Sequence, residues 1–142
     1  MKVLGFNFTK ISAERFSGLD SVTVKTKIDF EEPKKEKVDF FKDQEIFNFP
    51  FSYNILYEEK DSTSKKEEVK ASILFKGVIL LSGDKEETKD MLKNWKSKEH
   101  NSAVRTGVIN TIIQRCTIKA LSIEEDLGLP PHLSMPKITL SK

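Results

Sequence analysis

The side chains able to do covalent or metal chemistry are few here, and their spacing serves none of the usual reactions. Cys116, His100 and His132 are the only thiol and imidazole ligands. A structural zinc site takes four such ligands, so these cannot complete one. A catalytic thiol needs a base beside it. Neither histidine lies at a helical spacing from Cys116, which falls inside an apolar helical stripe and reads as a small core hydrophobe. A lone cysteine also rules out an internal disulfide. Ser82, Ser102 and Ser134 belong to no nucleophile motif with a histidine. No Gly-x-Gly-x-x-Gly or Walker loop offers a phosphate cradle. Carboxylates are plentiful but explained locally. Asp84, Glu86 and Glu87 sit where a helix should start, and there they cap it and complement its dipole. Glu124, Glu125 and Asp126 are expected to form a solvated turn after a helix, with an acidic docking patch as the alternative. The pattern predicts a non-enzyme with no cofactor and no metal.

The bulk numbers narrow the class further. A chain of 142 residues fits one domain, residues 1–142, with a core of its own. Charged residues make up 32% of it, yet the formal net charge is only +2. That balance argues against nucleic acid, which demands a basic stripe. The clustered lysines Lys34, Lys35, Lys37, Lys65 and Lys66 are interleaved with Glu31, Glu32, Glu36, Glu67 and Glu68, as in solvated loops. Met1 to Gly5 does not begin the apolar run of about 7–15 residues that a signal peptide needs. No run reaches the roughly 18 apolar residues of a membrane span. The expectation is a cytoplasmic protein that does not insert into membranes.

The hydrophobic pattern supplies the elements. Leu4, Phe6 and Phe8 alternate, but Ile11 and Ala13 continue on the other phase, as at a bulge near Thr9 and Lys10 or where a strand leaves one layer for another. Ser17 to Ser21 has turn chemistry. Val22, Val24, Ile28 and Phe30 then alternate with polar residues, the cleanest half-buried strand in the chain. Glu31 to Glu45 reads as a long charged loop carrying Val38, Phe40 and Phe41. Phe47, Phe49, Phe51, Tyr53, Ile55 and Tyr57 share one face of a third strand, with Pro50 marking an edge or bulge. The fourth strand, from Val69 to about Leu81, becomes apolar on both faces and reads as central and covered on two sides. Gly77 within it implies a bend or a close neighbour. Helices are expected from Lys85 to about Lys96 and from Ala103 to about Ile123, the second capped by Asn101 or Ser102. Pro130 and Pro131 forbid its continuation. Four strands followed by two helices imply an α+β fold: a four-stranded antiparallel sheet with both C-terminal helices on one face.

What is left after this inventory is aromatic surface. Ten Phe, two Tyr and one Trp serve one small domain. The sheet aromatics fit a core under the helices. Phe40 and Phe41 do not, and Leu74, Val78 and Leu80 on the second face need cover from another subunit or a bound client.

This order, Asn101 ahead of a stripe with Ile109, Ile112 and Ile113, and the segment Pro131-His132-Leu133-Ser134-Met135-Pro136 followed by Ile138 and Leu140, resemble the SecB family of export chaperones. The resemblance implies a homotetramer, a dimer of dimers, that holds unfolded polypeptides in apolar grooves without ATP. It implies a groove between the strand-one or crossover region and the final helix and loop, with Phe16, Phe40, Phe41, Trp95, Leu129 and Leu133 as peptide-binding residues. Family members that serve the SecA motor are strongly acidic and carry a tail beyond the proline segment. This near-neutral chain ends two residues after Leu140, which points away from SecA and towards a general holdase or one dedicated to a single client such as an antitoxin. Two other readings compete: an oligomeric structural or adaptor protein whose apolar surface is used up in assembly, and a small-ligand binder with a closed apolar cavity.

Overall fold

The computed structural model of the protein describes residues 2–16, 18, 21–36, 44–60, 67–96 and 103–133, of which 60, 67, 94–96 and 103 are described as backbone only. The strands are β1 (Lys2–Arg15), β2 (Thr23–Phe30), β3 (Lys34–Glu36), β4 (Glu45–Lys60) and β5 (Glu67–Gly83). The helices α1 (Lys85–Lys96) and α2 (Ala103–Leu127) follow. All pairings are antiparallel, in the order β1-β5-β4-β2, with β3 also on β4. The architecture is the expected α+β one, with five strands instead of four.

The extra strand has a mechanical origin. β4 has 16 residues and β2 only 8, so part of the β4 edge extends beyond β2. β2 reaches Phe51, and β3 takes over at Asn48. Pro50 lies at this handover. Its carbonyl accepts the Glu31 N–H at 3.0 Å, but proline has no N–H to return the bond, so the β2 ladder stops here. Lys34, Lys35 and Glu36 carry no apolar alternation, which is why the segment reads as loop.

One face of the sheet makes the core. Phe47, Phe49, Phe51, Tyr53, Ile55 and Tyr57 of β4 and Ala71, Ile73, Phe75, Ile79 and Leu81 of β5 pack against Met91 of α1 and Val108, Ile112, Cys116 and Ala120 of α2. β1 contributes Phe6, Phe8 and Ala13 to this face despite its phase change. The β1–β5 register slips between Phe8 and Lys10, where the sequence predicts a bulge, and again between Val3 and Gly5. Gly77 lies where the β1 backbone and a β4 side chain crowd in. A Cβ there would sit 2.5 Å from the Asn7 carbonyl oxygen and 2.8 Å from the Phe51 ring.

β5 is central, as expected, but among the described residues no element covers its second face. Leu74, Val78 and Leu80 are half-buried by their neighbours on the sheet alone. α1 begins as its cap predicts, with the Glu87 N–H donating to Asp84 Oδ1 at 2.8 Å. α2 runs four residues beyond the expected end, to Leu127.

Candidate functional site

The reason α2 extends is also what builds the most organised polar corner of the molecule. Its last turn holds no basic residue, and its final carbonyls carry the negative end of the dipole. β1 supplies the missing cation. Arg15 Nη1 donates to the carbonyls of Leu127 at 2.9 Å and Gly128 at 3.3 Å. Gly128 takes a φ of 65°, which its missing side chain permits. The Leu129 N–H then donates to the Glu124 carbonyl at 2.8 Å and the Gly128 N–H to that of Glu125 at 3.3 Å, the paired bonds of a Schellman motif. Leu129 enters the core beside this turn.

The segment past the helix is held down by side chains. The Tyr57 hydroxyl donates to the Pro130 carbonyl at 2.8 Å. The His132 N–H donates to Glu124 Oε2 at 3.1 Å, and His132 Nδ1 bonds Glu124 Oε1. Glu124 is only 1% exposed, which corrects the expectation that Glu124 belongs to a solvated turn. A buried carboxylate is stable only when its oxygens are satisfied, and here the returning chain satisfies them. Burial pushes the Tyr57 phenol well above its ordinary value, and the Glu124 carboxylate alongside adds to the shift. Tyr53 moves the same way, by burial first and then by Cys116 and Glu124. Burial lifts the Cys116 thiol to about 12, so it stays protonated and unreactive near neutrality.

Two apolar side chains leave this clamped corner. Phe16, one residue past Arg15, is 59% exposed, and its N–H donates to the Lys70 carbonyl at 2.8 Å. Leu133, one residue past His132, is 46% exposed. Both project from backbone fixed on its inner side. Among the described residues β1, which leads to Phe16, has a strand neighbour on one side only, so its 14 residues form a sheet edge.

Of the residues predicted for the site, the structure places Phe16 and Leu133 at the surface and Leu129 in the core, which corrects the expectation that Leu129 lines an open groove. Trp95 lies in α1, with its side chain outside the described residues. Phe40 and Phe41 lie outside the described residues altogether, as do Asn101, Ser134, Met135 and Pro136. Arg15 was not singled out in the sequence, and Tyr57, Glu124 and His132 were, but not as partners in one clamp. Leu127-Gly128-Leu129 after a helical stripe carries the Schellman signature, but the eight-residue step from Glu124 to His132 crosses a turn and matches no periodicity. Among the described residues, no group of His, Cys, Asp and Glu is placed to hold a metal. No described helix is long and apolar enough to cross a membrane.

The chain matches no protein-family model and no curated protein. Among solved structures, a SecB-like chaperone of Mycobacterium tuberculosis, in complex with a ChAD peptide from the HigA1 antitoxin, aligns over 99% of this chain and 92% of its own length. The TM-score is 0.47 and the identity 10%, too slight a likeness to transfer a function.

Proposed function

We propose that the protein is an ATP-independent holdase that captures non-native polypeptides. The observation that carries this reading is the exposure of two large apolar side chains, Phe16 and Leu133, each next to a residue, Arg15 or His132, that is bonded to the end of α2. A client laying its own apolar groups there gains about 25 cal/mol per Å² buried, less the cost of ordering an extended chain. Such binding is weak per contact and tolerant of sequence, which suits a protein that holds clients and lets them go. The near-neutral, mixed-charge surface suits clients of either sign. Export clients and a single dedicated client such as an antitoxin fit this chemistry equally, and coupling to SecA forms no part of the proposal.

A homotetramer arranged as a dimer of dimers goes with this function. Two surfaces of different kind support it: the open β1 edge, which suits strand pairing with a second copy, and the outer side of α2, where Ile118 is 72% exposed and Ile113 37%. Two distinct two-fold contacts are what such an assembly requires.

The test is suppression of aggregation of a chemically denatured client, read by light scattering, with particle mass measured in parallel. The wild-type assembly is expected to slow aggregation. The double variant Phe16→Ser/Leu133→Ser is expected to keep its mass and lose most of that effect. If the double variant protects as well as wild type, the corner is not the client site. If no denatured client is protected, the adaptor reading takes over, which the same β1 edge and Ile118 favour.

A further inference from the structure

We draw no further inference here: the strongest candidate, the hollow lined by Leu4, Val78 and Leu80 on the uncovered face of the sheet, is an unpartnered surface, and nothing in the structure shows what covers it.

Discussion

Phe75 and Leu74 are neighbours in β5, yet they belong to different kinds of surface. Phe75 faces the helices, has no solvent exposure and packs near Phe8 and Tyr53, with ring centroids 5.5 and 6.4 Å away. Leu74 faces the other way, opposite Ser12 and Asn54, and is only half-buried. The whole sheet divides along this line. Its covered face is continuous hydrocarbon and aromatic ring, closed by α1 and α2. Its uncovered face mixes Leu, Val, Asn, Ser and Lys. A period of two residues lets one strand stabilise the domain with one set of side chains and offer chemistry with the other.

The sharpest way to break this contrast is a pair of truncations. Phe75→Ala is expected to cost about 3–5 kcal/mol, because the site cannot collapse around the lost ring. Leu74→Ala should cost under about 1 kcal/mol, as a side chain largely supported by its own sheet neighbours does. Urea unfolding of both variants decides the matter. If Leu74→Ala is as damaging as Phe75→Ala, the second face is sealed in the native particle and the two faces are alike.

Gly77→Ala probes the line where the faces meet. The new Cβ would collide with the backbone oxygen of Asn7, which cannot step aside while β1 stays paired, and with the Phe51 ring. Overpacking of this kind costs about 1–3 kcal/mol. Unfolding midpoints should fall accordingly. Amide exchange should show the loss centred on β1, since β1 is the edge strand and can move, whereas Phe51 is locked in the core. A loss spread evenly over β4 would show that Phe51, not β1, gives way.

Much of the covered face was legible in the sequence, and much of the rest was not. Alternation in β2 and β4 announced strands, because each has one face buried and one free, whereas the run in β5 that is apolar on both faces suggested cover on two sides that no described element provides. The slip at Phe8 and Lys10 was legible for the same reason: burial had to change phase for Ala13 to reach the core, although Ile11 on the same phase stays 46% exposed. β3 was invisible because its formation depends on the β4 edge that β2 leaves bare, not on its own side chains. The corner was half legible. Phe16 and Leu133 were named through the SecB resemblance, but the polar clamp was not. Arg15 stabilises a helix end 112 residues away in sequence, and Glu124 is buried by a chain that returns after two prolines. Tertiary partnerships of this kind leave no local pattern. Glu124 in particular looks like one more acid in a solvated run until the position of His132 is known.

The smallest expected effects belong to the tyrosine that joins the covered face to the corner. Tyr57→Phe removes the donor to the Pro130 carbonyl and should cost about 1 kcal/mol at neutral pH, with faster amide exchange at Leu129 and His132. Alkaline titration sharpens the same point. Burial raises the Cys116 thiol from an ordinary 9.0 to about 12 and raises Tyr57 from an ordinary 10.0. Above pH 9 the unfolded chain loses the thiol proton while the folded one keeps it, so the unfolded state binds fewer protons and stability falls as pH rises. Tyr57 adds to the fall above pH 10, and Tyr53 shares in it. The urea midpoint of wild type should therefore begin to drop near pH 9. In Cys116→Ala the onset should move up towards pH 10, and in Tyr57→Phe the slope beyond 10 should become shallower. A Tyr57→Phe slope identical to wild type would mean that the phenol already reaches water, and that the corner is less firmly joined to the core than its hydrogen bonds imply.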